Sequence, residues 1–236
     1  MRIAWRPEQT TEPEWMDAPG HSPRVIAENL VDLRRVNWLL GGIRLTWQPL
    51  QRLLANVPAE SPVRILDVAS GAADIPAAVA QRLRSEGHSP LVVASDINEN
   101  ILRAARAHNR AATGMVYLAA DATRLPFTDG AFDAVTCSLA LHHMLPGEAV
   151  AMLTEMRRCA ARGIVVNDIV RSWLTYYGAI IATRLGSRNA LTLHDGPLSA
   201  RRAFTTAEMQ QLARTAGLKP NRWDSFLFYR VAMTAT

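Results

Sequence analysis

The sequence of 236 residues is poor in the features that direct a chain to a membrane or to an oxidising compartment. Its two cysteines, Cys137 and Cys159, form neither a CxxC pair nor part of a Cys/His ligand spacing, so we predict core thiols and no metal site. No uncharged apolar run reaches about 18 residues, and the amino terminus lacks the apolar stretch of a secretory signal. These absences predict a cytoplasmic chain without a membrane span.

Lysine is nearly absent as well, since Lys219 is the only one and the net charge of +5 comes from scattered arginines. Only the doublets Arg34-Arg35, Arg157-Arg158 and Arg201-Arg202 stand out. Proteins that bind nucleic acid usually concentrate basic residues on one face, so we expect no nucleic-acid partner. The sequence also lacks the Lys-Ser or Lys-Thr of a P-loop and the three glycines of a dinucleotide-binding turn.

What is present is an alternation of short apolar runs with amphipathic segments, beginning near residue 63. Five such runs are typical of buried strands, and the segments between them are typical of helices. Two closing strands, about 218–224 and 226–233, are expected to form a hairpin at the sheet edge. The pattern predicts an α/β fold with a doubly wound, mostly parallel seven-stranded sheet.

The parts of the chain outside this alternation are predicted to cover it. Residues 1–58 read as an extended arm over 1–21, with Trp5, Trp15 and Met16 as apolar anchors, followed by two helices that either pad the sheet or cover the site. Residues 59–236 read as the main domain, with a helical insertion at about 169–203 that contains a loop over 193–198.

Residues 64–76 combine a buried strand, an acidic end, a small-residue turn and a helix start, which is typical of a ligand-binding βα turn. Asp74 is expected to cap the following helix. Asp96 ends the second strand and can accept both hydroxyl protons of a ribose, although capping of the helix near Asn98 is the alternative. Asp121 ends the third strand and can meet an adenine amino group. Two carboxylates without phosphate-binding residues indicate adenosine carried on something other than phosphate.

These motifs together resemble the class I S-adenosylmethionine-dependent methyltransferases, with a Rossmann-like fold, over about residues 63–166. The resemblance implies S-adenosyl-L-methionine as cofactor and S-adenosyl-L-homocysteine as product. The loop from Asp67 to Ala73 would hold the methionine part, Asp96 the ribose, Asp121 the adenine, and Ser138 the methyl side. The cofactor-binding residues implied in this way are Asp67, Ala69, Ser70, Gly71, Asp74, Asp96, Ile97, Asp121, Ala122, Ser138 and Leu139.

Two departures from the family pattern affect this prediction. Alanines stand at Ala69 and Ala73, where the family usually has glycines, and an added methyl can crowd a close backbone contact. The stretch before the fifth strand, residues 158–163, also lacks the family's common Pro-Gly-Gly turn. The alanines leave open the alternative of a non-catalytic protein that binds S-adenosylmethionine.

Upstream, residues 35–38 and 41–44 resemble a stretch that precedes the core of quinone-biosynthesis methyltransferases. The whole chain resembles small bacterial methyltransferases of quinone and polyketide pathways, which implies natural-product biosynthesis and secondary metabolism. The function implied first is O-methylation of a phenolic, quinol or polyketide hydroxyl, with C-methylation of such a precursor as the alternative. His143 and His194 are the candidate bases, although His143 can instead bond backbone or cap a helix, and His194 can belong to a plain turn at Asp195.

The segments on either side of the core are apolar and aromatic, which favours a small aromatic or lipophilic substrate. Core packing alone is the alternative explanation. Arg201 is a candidate clamp for an anionic substrate, or else part of a solvated pair. A monomer or homodimer is expected. The predicted substrate-binding residues are Trp38, Trp173, Tyr176, Tyr177 and Arg201.

Overall fold

The structure is a computed structural model that describes residues 6–18, 20–58 and 60–236. Its seven strands are β1 (Pro62–Val68), β2 (Ser89–Asp96), β3 (Met115–Ala119), β4 (Ala134–Ser138), β5 (Ile164–Ile169), β6 (Pro220–Phe226) and β7 (Arg230–Ala235). They form one sheet in the order β3-β2-β1-β4-β5-β7-β6, and β7 is antiparallel to both of its neighbours. The predicted doubly wound, mostly parallel seven-stranded sheet is therefore confirmed. Its strand order reverses between β1 and β4, where ligands of open α/β sheets bind.

Eight helices and two short 3-10 turns accompany the sheet in the described part of the chain. The helices are α1 (Pro23–Leu39), α2 (Gly42–Leu53), α3 (Asp74–Ser85), α4 (Glu99–His108), α5 (Pro146–Cys159), α6 (Trp173–Gly186), α7 (Ala190–Arg202) and α8 (Thr206–Thr215). We call the two 3-10 turns the arm turn (Trp15–Asp17) and the histidine turn (Leu141–His143). None of the helices within the described ranges is long and apolar enough to cross a membrane.

The two faces of the sheet are covered by different helices, because successive strand side chains point to opposite faces. In β1, Val63 and Ile65 pack with α2 and α3, whereas Leu66 and Val68 face the larger core formed with α5 and α8. Cys137 and Cys159 are free and fully buried in that larger core, as predicted.

The two front helices have different roles, which the sequence left open. Helix α2 pads the sheet, with Leu50 packed into the β1 face. Helix α1 and the arm turn instead lie over the carboxyl edge: Leu30 and Met16 pack against Ala72, in the turn after β1, and against Ile101 of α4.

Two local predictions are wrong, namely the loop over 193–198 and the capping role of Asp74. The loop expected over 193–198 lies inside α7, because Asn189 caps this helix through the amides of Leu191 and Thr192. The glycine that suggested a turn, Gly196, is instead a close contact between helices, since a Cβ there would lie 2.5 Å from Cγ2 of Thr183. Packing thus overrides the local turn signal.

Asp74 is not the cap of α3, because it is the first helical residue and the N-cap is Ala73, without a side-chain hydrogen bond. Its negative charge still lies at the positive end of the helix dipole. Part of the predicted arm lies outside the described residues, namely residues 1–5, which include the anchor Trp5, and Pro19.

Candidate cofactor and acceptor site

The turn after β1 adopts left-handed backbone at three alternate positions. The φ angles are 52° at Ala69, 50° at Gly71 and 51° at Ala73. Such a conformation costs a residue with a Cβ about 1–2 kcal/mol. Ala73 is nevertheless fully buried, packed with Ala94 and Ala105, and Ala69 packs against the main core. The two methyl groups therefore fill space inside the protein instead of crowding a ligand.

Gly71 is where this turn is open. A Cβ built there would meet no atom within 4 Å, so the backbone is accessible to a bound molecule. Ile97, 74% exposed, and the exposed Asp121 follow the neighbouring strands at the same edge. An exposed apolar side chain and a carboxylate beside bare backbone fit the nucleoside part of the implied cofactor.

Asp96 joins the first two loops of this edge. Its Oδ2 accepts the Gly71 amide at 2.9 Å, and its Oδ1 accepts the Asn98 amide at 2.9 Å. Helix α4 is capped by Asn98, whose side chain accepts the Ile101 amide, so Asp96 is not required as a cap. Burial raises the pKa of Asp96 despite these bonds. Each carboxylate oxygen keeps a second lone pair, which suits two ribose hydroxyls.

Asp67, another predicted cofactor residue, lies under the turn. It is 1% exposed, and its Oδ1 accepts the Thr136 hydroxyl at 2.5 Å. Its carbonyl accepts the hydroxyls of Ser70 and Ser95. Burial raises the pKa of Asp67 to about 7, although the bond from Thr136 opposes this. Asp67 therefore stabilises the turn after β1 through buried hydrogen bonds beneath it.

The remaining predicted cofactor residues surround the same edge. Asp121 accepts the amide and hydroxyl of Thr123 at 2.8 and 2.7 Å, and the hydroxyl bond lowers its pKa. Ala122, after it, is buried. Ser138 exchanges a hydrogen bond with Thr46 of α2 at 3.1 Å, and Leu139 has a φ of 54°.

A buried polar network connects the corner between α1 and α2 to the sheet. Arg230, 1% exposed, donates to Asn167 at 2.7 Å and to Asn37 at 3.1 Å. Asn37 in turn donates to Asp74 at 3.3 Å. A Cβ at Gly42 would lie 2.9 Å from the Arg230 guanidinium, which explains why glycine stands at this corner.

Across the crevice, the histidine turn is surrounded by carboxylates. His142 is buried, and its Nδ1 lies 2.7 Å from Oδ1 of Asp168. His143 has its Nδ1 3.0 Å from Oδ2 of Asp17. Glu14, also buried, places one oxygen 3.7 Å from Nε2 of each histidine. Burial disfavours the charged form of His143, but Glu14 and Asp17 outweigh it and raise its pKa to about 9.

His194, the second candidate base, is covered by the arm turn. Its ring stacks on Trp15 with centroids 3.7 Å apart, and its Nδ1 lies 2.7 Å from Oδ1 of Asp195. The Asp195 carboxylate also accepts the amides of Trp15 and Met16, both at 2.9 Å. The plain turn considered for this pair is therefore wrong, because the pair anchors the arm to α7.

The two arginines of the doublet Arg201-Arg202 make different contacts. Arg202 is 6% exposed and donates to the carbonyls of Glu12, His142 and His143. It therefore joins the arm to the histidine turn. Arg201, the predicted substrate clamp, is half-buried, and its carbonyl accepts the Thr10 amide.

The predicted aromatic lining is only partly brought together. Trp173 and Tyr177 stack with centroids 5.7 Å apart, and Tyr176 meets both rings edge-on within α6. Trp38 is 73% exposed and lines a groove between α1 and α3 with Arg34. This groove, of about 760 Å³, includes Asp74 of α3 but not Asp96 or Asp121.

We call the surroundings of the histidine turn, with the arm packed on it, the acceptor side. Several of its residues were not predicted from the sequence. Glu14 and Asp17 belong to an arm without helical periodicity, and Arg202 was read as surface charge. Asp168 is the next-to-last residue of β5. A carboxylate at the end of a strand was the one available signal, and it applied to Asp168 alone.

Comparison with known proteins agrees with this geometry. Residues 65–163 match a family described as a methyltransferase domain. The chain therefore carries a methyltransferase domain over residues 65–163.

Among particular relatives, the chain is 34% identical over 138 residues to the ubiquinone/menaquinone biosynthesis C-methyltransferase UbiE of Cupriavidus metallidurans. That match covers 56% of this chain and 53% of the relative, so it spans about half of the relative's length.

Two solved structures share the fold. A SAM-dependent methyltransferase from Aquifex aeolicus has a TM-score of 0.61 at 17% identity, with 92% of this chain and 98% of that chain covered. Magnesium protoporphyrin IX methyltransferase from Synechocystis, solved with bound SAH, has a TM-score of 0.56 at 19% identity, with 93% and 90% covered.

Proposed function

We propose that this protein transfers the methyl group of S-adenosylmethionine to a carbon atom of a small aromatic or lipophilic acceptor of the quinol type. The observation that carries the proposal is the 34% identity to a relative named as a C-methyltransferase of quinone biosynthesis. This reverses the order of the sequence prediction, in which O-methylation came first.

The cofactor side is the edge formed by the turn after β1, Asp96 and Asp121. It supports methyl transfer because these groups lie next to one another. When bound, the cofactor supplies an electrophilic methyl on a sulfonium, and transfer then depends mainly on alignment. Asp96 would bind the ribose hydroxyls and Asp121 the adenine amino group, while the open backbone at Gly71 receives the methionine part. Because the methyl groups of Ala69 and Ala73 pack inward, they give no reason to prefer a non-catalytic binding protein.

The elements around the acceptor side support an aromatic or lipophilic acceptor. The arm turn, α1 and the segment of α6 and α7 lie around the carboxyl edge, and α6 carries the aromatic cluster of Trp173, Tyr176 and Tyr177. We propose that these elements form the lid over the acceptor, with Arg201 and Trp38 at its margins.

O-methylation of the same class of acceptor is the second candidate. It is favoured by the 2.7 Å contact between His142 and Asp168, because a carboxylate that orients an imidazole prepares it as a base. His143 and His194 are the other candidates, and each contacts the arm turn.

The test is product analysis with S-adenosylmethionine that carries a deuterated methyl. Calorimetric titration with S-adenosylhomocysteine, with NADH as control, first establishes nucleoside binding. Phenols and prenylated quinols are then incubated with the protein, and tandem mass spectrometry locates the label. Label on a ring carbon supports the proposal, and label on oxygen favours the second candidate. Binding without any product across the panel contradicts both.

A further inference from the structure

Three side chains on the acceptor side converge from distant parts of the chain. Glu14 of the arm and His142 and His143 of the histidine turn each direct a donor atom to one place, with these atoms within 4.8 Å of one another. We call them the Glu-His-His cluster. Glu14 and His142 are 3% and 4% exposed, so two of the three ligands are almost completely removed from water.

The distances within the cluster are too long for hydrogen bonds. Oε1 of Glu14 lies 3.7 Å from Nε2 of His142, and Oε2 lies 3.7 Å from Nε2 of His143. Nitrogen and oxygen donors joined directly by hydrogen bonds lie about 2.7–3.2 Å apart. Two ligands at about 2.0–2.2 Å from one zinc ion lie roughly 3.3–3.7 Å apart at angles near or somewhat wider than tetrahedral. The spacing therefore leaves room for an ion between the donors.

Each of the three side chains also has a hydrogen-bond partner outside the cluster. Nδ1 of His142 is 2.7 Å from Asp168, and Nδ1 of His143 is 3.0 Å from Asp17. Ser199 donates to Oε1 of Glu14 at 2.7 Å. Imidazoles that bind a metal through one nitrogen usually donate from the other nitrogen to a carboxylate, which fixes the tautomer and the ring orientation. Both histidines have this arrangement, with Nε2 facing the shared centre.

From these contacts we propose that Glu14, His142 and His143 bind one divalent transition-metal ion, with Zn²⁺ as the ion that fits best. Two imidazoles and one carboxylate suit zinc and its first-row neighbours, whereas Mg²⁺ and Ca²⁺ prefer oxygen donors alone. Three protein ligands leave at least one position open. The ion would also offset the negative charge of the buried carboxylates Glu14 and Asp168.

The ion would fasten the arm across the crevice. Glu14 is the sole ligand from the arm, while both histidines follow β4, so coordination joins two segments that are 128 positions apart (142 − 14). Bound metal is therefore expected to order the arm turn over the acceptor side. Metal binding itself does not rest on the proposed function.

The test uses full-length protein without a histidine tag, first stripped with a chelator. Zn²⁺ is titrated in competition with a chromophoric chelator, and Co²⁺ is titrated alone to record the visible absorption of a low-symmetry cobalt site. We expect one ion per chain. Glu14→Gln and His143→Gln should each weaken Zn²⁺ binding by at least about 100-fold, and Asp168→Asn by about 10–100-fold, as is typical for loss of an outer partner.

Two controls distinguish this site from adsorption to the surface. Glu12→Gln changes an exposed carboxylate of the same arm, and His108→Gln changes an exposed histidine at the end of α4, so neither should alter Zn²⁺ affinity. Hydrogen exchange of residues 12–18 should slow with Zn²⁺ in the wild type and not in Glu14→Gln. Circular dichroism of the metal-free variants verifies folding.

The proposal is overturned if the wild type binds Zn²⁺ and Co²⁺ no more tightly than Glu14→Gln, which would make the cluster a set of ion pairs. This outcome is independent of methyl transfer, because an enzyme that binds no metal can still convert its acceptor. Conversely, stoichiometric metal binding without any methylated product would contradict only the proposed function.

Discussion

The cofactor side and the acceptor side of the crevice are stabilised by different kinds of contact. On the cofactor side, Gly71 bonds to Asp96, 25 positions away, within the consecutive elements β1, α3 and β2. On the acceptor side, Glu14 bonds to Ser199 and Arg202 bonds to Glu12, across 185 and 190 positions. The first side is therefore formed by neighbouring segments, whereas the second exists only while the arm is docked.

This difference indicates which residues mainly affect stability and which mainly affect ligand binding. The cofactor side exposes backbone and a few carboxylates that can change with modest effect on folding. The acceptor side buries charged groups that support one another, and loss of one buried partner leaves others unsatisfied. Changes on the acceptor side should therefore reduce stability most, and changes on the cofactor side should reduce ligand affinity most.

The largest effect is expected for Arg202→Ala. This removes the donor to three carbonyls and should lower the free energy of unfolding by about 3–5 kcal/mol, because buried acceptors are left unpaired. Urea denaturation measures it. Arg201→Ala is the matched control, and a change of similar size there would show that the doublet acts as general surface charge.

The second prediction concerns Asp67, the buried carboxyl of the cofactor side. Its pKa is raised to about 7 in the folded protein, so the folded state retains the proton more strongly than the unfolded chain. The stabilisation is complete below the usual pKa of about 3.9 and is lost as pH rises through about 7.

The wild type should therefore lose up to about 4 kcal/mol relative to Asp67→Asn between pH 4 and 8, at about 1.4 kcal/mol per pH unit. Denaturation of both proteins over this range, without ligand, gives the difference. Parallel pH profiles would mean that Asp67 does not titrate in this interval.

The third prediction tests ligand binding separately from stability. Asp96→Asn should weaken S-adenosylhomocysteine binding by about 100-fold or more, since charge-assisted bonds to two hydroxyls each contribute about 1.5–3 kcal/mol. Calorimetry measures the affinity, and the melting temperature should change little. Asp129→Asn, at an exposed carboxylate, should leave the affinity unchanged. Equal affinity of Asp96→Asn and wild type would exclude ribose binding by this residue.

The smallest effects are expected within the turn after β1. Gly71→Ala should cost about 1–2 kcal/mol of stability and also reduce ligand affinity, because the new methyl projects into open space in a left-handed residue. Ala73→Gly should leave the affinity unchanged, because the Ala73 methyl packs inward against Ala94 and Ala105. If both variants reduce affinity alike, the two sides of this turn do not differ as the packing indicates.

Much of the fold follows from local pattern. Helix α5 spans Pro146–Cys159, where proline suits the first turn and buried side chains recur at helical spacing. The segment around Gly196 was misread, because its turn residues reflect close packing on α6. On the cofactor side, Asp96 ends β2 and Asp121 comes two residues after β3, and parallel strands bring such positions to one edge.

The sequence by itself determined the alternation of strands and helices, the position of the turn after β1, and the carboxylates at Asp96 and Asp121. These features depend on periodicity and on strand ends, which a few neighbouring residues specify. Only the tertiary structure decided that Glu14 meets His142 and His143, and that Arg202 is buried beneath the arm. Such contacts come from docking of distant segments, whose charges are stable inside the protein only when their partners arrive together.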